Sequence, residues 1–390
     1  MAHDDLLCGA VLIGSRLLRI AELLLRTKLS GKTLSNRVRF LDSRPLPSDQ
    51  IAHWLLEEAD KRNIQLGHEL CNRIVAAAVR GKPRKKYAPY RLNDACIVLA
   101  YYAPCDFRAP RQNFMRVLQQ FLSAGYPVCV AEAVFPNATA LVLPPQVMHK
   151  RILATDKNTL FLKENLYNLA AETLPHAKLV FVDADIEFTR RDWLQVTSAL
   201  LNSHDVVQLF STAVWRDKDN STELLTKLCA AACLTDNAAA DLRIYHPGFG
   251  WAMRRDFFNA VGGWYENHPL GCGDTGFWLA LYSRQIPNET ATALRERNNL
   301  FLETAAFKDY RSRVQKLKPK ISYVANNYAM HLWHGKLKNR QYADRSIDYL
   351  PALLNGDYPV ARGKNGLLEW LFADDAVKCL QYFQKRAEDD

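Results

Sequence analysis

The chain has 390 residues, 48% of them apolar, and carries 51 Lys and Arg against 41 Asp and Glu, a formal net charge of +10. That apolar content supports a sizeable core in one large or two ordinary domains and excludes an intrinsically disordered chain. Nine cysteines without regular spacing exclude a disulfide scaffold and point to reduced thiols in a cytoplasmic setting.

The positive charge is concentrated at the start. Residues 1–92 hold 17 Lys or Arg against 9 Asp or Glu, a net of +8. Leu6 to Arg26 reads as an amphipathic helix, with Arg16, Arg19, Glu22 and Arg26 on one face; these charges interrupt it too early for a membrane span. A second helix is predicted from Ser48, its N-cap, to Arg62, with Ile51, Trp54, Leu55 and Ala59 on its apolar side, and a third over Leu66 to Arg80. Arg80 to Arg91 then holds six basic residues, no acid and two prolines, which forbid a continuous helix and mark a boundary. The expected division is a basic helical domain over 1–92, an α/β domain over 93–350 and a helical extension over 351–390.

From Cys96 the pattern alternates. Cys96 to Tyr102 is a predicted strand, Arg111 to Ala124 a helix, Pro127 to Ala131 a strand and Lys163 to Leu174 a helix. Next come a strand over Leu179 to Val182 and another over Val206 to Phe210. Such alternation implies a mostly parallel sheet covered by helices on both faces. Cys229 and Cys233 lie one helical turn apart without a second thiol pair or a nearby His, so they are expected in the core.

The apolar run Leu179-Val180-Phe181-Val182 ends abruptly in Asp183-Ala184-Asp185. A strand buried on both faces belongs to a parallel α/β sheet, whose ligands bind at the carboxyl ends of the strands. Residues two apart in an extended segment share a side, so Asp183 and Asp185 can approach one divalent cation together, and hard oxygen donors favour Mg²⁺ or Mn²⁺. Asp217-Lys218-Asp219 repeats the spacing with no buried strand leading into it and reads as coincidence.

Three further clusters follow. The first is His246-Pro247-Gly248-Phe249-Gly250-Trp251, then Gly262-Gly263-Trp264; its glycines allow close backbone approach, and Trp251 and Trp264 offer flat faces on which sugar rings stack. The second is Gly271-Cys272-Gly273-Asp274 before the apolar Phe277 to Leu281, which places Asp274 at a helix start as a general base or a simple cap. The third is His331-Leu332-Trp333-His334-Gly335 followed by Arg340 and Arg345, where a His can ligate metal or sit in the core, and the arginines can hold phosphate oxygens.

In this order, over roughly Asp94 to Leu350, the clusters resemble glycosyltransferases of the GT-A fold, close to the inverting family 2 and its bacterial, phage and giant-virus members. The resemblance implies a Rossmann-like, mostly parallel sheet. It implies that Asp183-Ala184-Asp185 is the Asp-x-Asp metal motif, with Asp185 the direct ligand, Asp183 nearer the ribose or donor sugar, and His334 completing the coordination. It further implies Asp274 as catalytic base, with Gly273 where the family usually has an acid, Glu132 as the uracil contact, and Lys163 and Asn168 as nucleotide contacts. The expected reaction is metal-dependent transfer, with Mn²⁺ or Mg²⁺, from a nucleotide-diphosphate sugar, a UDP-sugar, to a hydroxyl. Arg340 would neutralise phosphate, and Trp251 and Trp264 would shape the sugar pocket. A nucleotidyltransferase and a non-catalytic nucleotide-sugar binding protein are the alternatives. The acceptor is left open among DNA, glycan, lipid and protein. Residues 1–92 either dock nucleic acid or an anionic membrane, or form a homodimer.

Overall fold

A computed structural model describes residues 94–219, 223–296, 299–340 and 348–389. The three helices expected within 1–92, and Arg345, lie outside the described residues.

The main sheet begins with β1 (Ala95–Tyr102), followed by α1 (Arg108–Ser123), β2 (Val128–Val134) and β3 (Met148–Leu153). Helix α1 buries Phe114, Val117, Leu118 and Phe121, the stripe that a 3.6-residue period lays on one face. Helix α2 (Lys163–Ala171) leads to β4 (Lys178–Val182). All five residues of β4 are buried, as the uninterrupted apolar run predicts for a central strand. Burying each of Val180, Phe181 and Val182 contributes about 1.5–3 kcal/mol. After β5 (Ile186–Phe188) and α3 (Trp193–Leu201) come β6 (Val206–Gln208), β7 (Thr212–Arg216), β8 (Glu223–Cys229), α4 (Ala230–Thr235), β9 (Tyr245–His246) and β10 (Gly250–Arg254). Helices α5 (Arg255–Val261), α6 (Gly273–Leu281), α7 (Asn288–Arg295) and α8 (Ala305–Leu317) precede β11 (Ile321–Tyr323) and β12 (Tyr328–His331).

The seven strands run in the order β3-β2-β1-β4-β10-β6-β11. All are parallel except β10, which is antiparallel to both β4 and β6. The expected α/β architecture with a mostly parallel sheet is therefore present. The single reversed strand matters for the site. β10 starts where β4 ends, Gly250 pairing with Val182, so the segment His246 to Phe249 arrives at the carboxyl end of β4 beside Asp183.

A second sheet has the order β5-β12-β7-β8-β9, and its strand β5 follows Asp185 directly in the chain. Its strand β12 runs antiparallel to β5, with His331 opposite Ile186. Residues 351–390, expected to be helical, instead open with a hairpin of β13 (Val360–Arg362) and β14 (Leu368–Trp370) before α9 (Ala373–Lys385). Gly363 and Gly366 bracket the hairpin turn, and Leu368 and Trp370 are buried on alternate positions of β14. Cys229 and Cys233 are buried, as expected. Among the described residues no helix is long and apolar enough to cross a membrane.

Candidate active site

A cavity of about 970 Å³ opens at the carboxyl ends of β1 and β4. Asp183, Asp185, Asp274, Lys163, His334 and Arg340 all line it.

Pairing of β12 with β5 builds the metal-like corner. Because β5 follows Asp185 directly, antiparallel pairing sets His331 opposite Ile186, and the Leu332 amide donates to the Asp185 carbonyl at 2.8 Å. The side chains converge accordingly. His334 Nε2 lies 2.7 Å, and His331 Nε2 3.3 Å, from Asp185 Oδ2, and one ligand atom from each of the three lies within 4.8 Å of the others. The Arg340 guanidinium donates to both rings, 3.1 Å to His331 Nε2 and 2.8 Å to His334 Nε2. Arginine can only donate, so each Nε2 presents a lone pair, and His334 carries its proton on Nδ1. That Nδ1 lies 2.9 Å from Glu388 Oε1. The guanidinium thus occupies the point that both lone pairs face; with Arg340 turned aside, the two imidazole nitrogens and the Asp185 carboxylate oxygen would form a donor set that fits a divalent cation.

Electrostatics agree with this arrangement. Burial pushes the His331 ring down to about 4, outweighing the pull of Asp185, so the ring is neutral at neutral pH. Burial likewise opposes ionisation of Glu388, yet Arg386 and His334 bring it down to about 2.

Asp183 belongs to a different set of contacts. It was expected to share the ion, but it stands outside the three-donor cluster. Lys163 Nζ donates to its Oδ1 at 3.1 Å, and the Phe249 amide reaches Oδ2 at 3.3 Å. Phe249 has φ of +75°, an uncommon conformation for a residue with a side chain, and its carbonyl accepts from the Asp183 amide at 3.0 Å. Lys163 also lies 3.6 Å from Asp274 Oδ2, so one ammonium joins the acid that ends β4 to the acid that begins α6. Asp183 is raised by burial against the pull of Lys163.

Asp274 sits in the first turn of α6, whose N-cap is Cys272. Its Oδ1 accepts from the Thr275 amide at 2.7 Å, and its Oδ2 points toward the loop before β10. A side chain at 248 would meet that oxygen at 2.4 Å, which explains the glycine of the His-Pro-Gly run. Gly273 has a similar reason. A Cβ there would lie 2.4 Å from Glu164 Cδ and 2.7 Å from Glu164 Oε1. The carboxyl of Glu164, supplied by α2, thus fills the place a side chain at 273 would take, next to Asp274. Burial pushes Glu164 up to about 7, against the pull of Lys163.

Four expected contacts are corrected by the structure. Glu132 is on β2 but is buried and does not line the cavity; it accepts from the Leu141 amide at 2.5 Å and pairs with His149 at 2.8 Å and Arg151 at 3.1 Å. Asn168 points away from the cavity, bonding both the amide and the carbonyl of Trp264, at 2.7 and 3.1 Å, and Glu266 at 2.6 Å. Trp251 is 0% exposed, with Nε1 donating to the Pro247 carbonyl at 2.6 Å. Trp264 is 4% exposed and packs on Tyr167, Phe181 and Phe277. Neither indole can stack on a sugar. The aromatic side chains that do line the cavity include Tyr102, Phe161, Phe383 and Trp215.

His331, Glu164 and Glu388 were not singled out for a role. His331 carries a legible signal, its spacing of three from His334 in one block. Glu164 is an acid inside an apolar helix, a weaker clue, and Glu388 has no local signal at all.

No family model matches the chain, and no curated protein does. Among solved structures it is similar to S. aureus TarS 1-349 in complex with UDP-GlcNAc, at 11% identity and a TM-score of 0.36, covering 66% of this chain and 63% of that one. It is similar to glucosyl-3-phosphoglycerate synthase from Mycobacterium tuberculosis in complex with Mn²⁺, UDP and phosphoglyceric acid, at 9% identity and 0.31, covering 57% and 78%. It is also similar to the catalytic domain of Drosophila β1,4-galactosyltransferase 7, at 10% identity and 0.29, covering 50% and 62%. The chain spans less than two thirds of the TarS and galactosyltransferase chains. Likeness at these scores is partial, and the geometry of the site carries the chemistry instead.

Proposed function

We propose that this chain is a metal-dependent glycosyltransferase of the GT-A type, close to family 2, that moves a sugar from a UDP-sugar to a hydroxyl acceptor with inversion at the anomeric carbon. The supporting observation is the convergence of Asp185, His331 and His334 in the cavity that also holds Lys163, Asp274 and Arg340. Asp185, His331 and His334 would hold the ion, and two imidazoles beside one carboxylate favour Mn²⁺ over the oxygen-preferring Mg²⁺. Such an ion supplies Lewis-acid neutralisation of a leaving diphosphate.

The remaining steps belong to the protein. Arg340 and Arg386 present guanidinium groups at the cavity wall for diphosphate oxygens. Tyr102 and Phe161 present ring surface for the nucleobase. Asp274 takes the acceptor proton on a carboxylate oxygen as the hydroxyl attacks the anomeric carbon from the face opposite the leaving group, which inverts the configuration. Lys163, shared by Asp183 and Asp274, fixes the spacing between the donor end and the acceptor end of the site.

The test is product analysis. The intact chain, given a panel of nucleotide sugars and Mn²⁺, is expected to release a nucleoside diphosphate. Release of pyrophosphate would assign a nucleotidyltransferase, and donor binding without turnover would assign a binding protein. For the acceptor, residues 1–92 are expected to bring the intact chain to duplex DNA or anionic vesicles, with affinity falling as salt rises. Absence of such binding at low salt would leave a free glycan or a protein as acceptor.

A further inference from the structure

We propose that Glu388 is a positioning residue of the ion site, so that the segment after α9 is a working part of the active site and not an appendage. This rests on the metal-dependent reading above. Glu388 Oε1 lies 2.9 Å from His334 Nδ1, across 54 residues of chain. Since Arg340 donates to Nε2 of that ring, Nδ1 carries the proton and Glu388 accepts it. A carboxylate in that position fixes the tautomer and the ring plane of a metal-binding histidine, and raises the basicity of the nitrogen that faces the ion.

Independent contacts hold the carboxylate in place. Arg386 Nη2 lies 2.5 Å from the same Oε1. Asp389 accepts from the amides of Arg108 at 3.0 Å and Ala109 at 2.6 Å, which fastens the segment to the first turn of α1. The turn after His334 is shaped to receive it. Gly335 has φ of +81°, and a Cβ there would fall 2.9 Å from Glu388 Cα and 3.1 Å from the Ala387 carbonyl oxygen. The backbone of the segment therefore packs directly under the histidine it orients, while Arg386 and Glu388 both line the cavity.

The experiment is a Mn²⁺ titration of the intact chain, followed by the electron paramagnetic resonance signal of the free ion, for the parent, His334→Ala, Glu388→Ala and Glu388→Gln. Glu388→Ala is expected to weaken Mn²⁺ binding about 10–100-fold. Glu388→Gln, whose amide oxygen still accepts from Nδ1, is expected to show a smaller but measurable loss, with melting of the ion-free protein unchanged. If His334→Ala binds Mn²⁺ like the parent, the metal-dependent reading itself fails. If His334→Ala weakens binding while Glu388→Ala does not, only the positioning role fails. Equal weakening in both Glu388 variants together with lowered melting temperatures would assign Glu388 to holding the fold and overturn the proposal. Should the Ala variant not fold, the Gln variant decides, and parental affinity there overturns it.

Discussion

His334 Nε2 and Asp185 Oδ2 stand 2.7 Å apart although 149 residues separate them. The contact follows from strand pairing. β5 leaves the main sheet immediately after Asp185, and β12 returns alongside it, so the residues just beyond β12 are delivered to the acid that ended the preceding segment. Arg340 then donates to Nε2 of both imidazoles. The guanidinium thus fixes both rings with their Nε2 lone pairs converging on one point.

Asp274→Asn is expected to lower the transfer rate about 10²–10⁴-fold, because an amide cannot accept the acceptor proton. Donor affinity should stay within a few-fold of the parent, since the Asp185, His331 and His334 set is untouched. Single-turnover transfer and equilibrium donor binding measure the two effects separately. Normal transfer by the variant would reduce Asp274 to a helix-start residue, and a product retaining the donor's anomeric configuration would exclude simple inversion.

Glu164 predicts a pH signature. Its carboxyl is raised by burial, against Lys163, from 4.5 to about 7. Between those values the unfolded chain releases this proton while the folded chain keeps it, so the unfolded state binds fewer protons and stability falls as pH rises. Glu164→Gln removes this titration. The stability of the parent minus that of the variant, from denaturant midpoints, should therefore fall by up to ~3 kcal/mol across this window. A difference independent of pH would contradict the raised carboxyl.

Gly273 and Glu164 should be coupled. Gly273→Ala places a methyl within 2.4 Å of Glu164 Cδ, and the crowding is expected to cost about 1–3 kcal/mol. Glu164→Ala opens the space, so the double variant should be more stable than the sum of the single effects implies, by more than ~0.5 kcal/mol. Additivity in a double-mutant cycle would show that the two positions do not compete for the same volume.

The tryptophans separate fold from function. Trp251→Ala removes a side chain with no exposure from the core and is expected to cost about 3–5 kcal/mol. Trp251→Phe, which keeps most of the packing, should lower the melting temperature without changing donor affinity. A selective loss of donor binding in a variant of parental stability would return Trp251 to the site.

How far the sequence reaches is clear from these residues. β4 and its terminal acids were legible because four apolar residues followed by Asp183 and Asp185 constrain both the burial and the end of a strand. Asp274 was legible at its helix start because it carries charge at the edge of an apolar segment, whereas Lys163 entered through the family resemblance alone. Trp251 and Trp264 were misread because glycine-rich surroundings suggest an open binding face, whereas here the glycines admit Asp274, Leu209 and Asn168 against the backbone. Glu132 was misread because strand position gives no account of the partners that β3 supplies, Arg151 directly opposite it and His149 two residues along, opposite Val130. Glu388 could not be found by spacing, since only the folded path of α9 and the hairpin before it brings it to His334.

The most direct measurement is Mn²⁺ affinity of the intact chain compared with Asp185→Ala, Asp183→Ala and, as control, Asp217→Ala. Asp185→Ala removes the carboxylate of the three-donor set and is expected to lose measurable binding. Asp183→Ala should retain most of it, because Lys163 and not the ion is its partner, and Asp217→Ala should match the parent. Parental Mn²⁺ affinity in Asp185→Ala would contradict the assignment of Asp185, His331 and His334 as the ion site, and with it the proposed metal-dependent transfer.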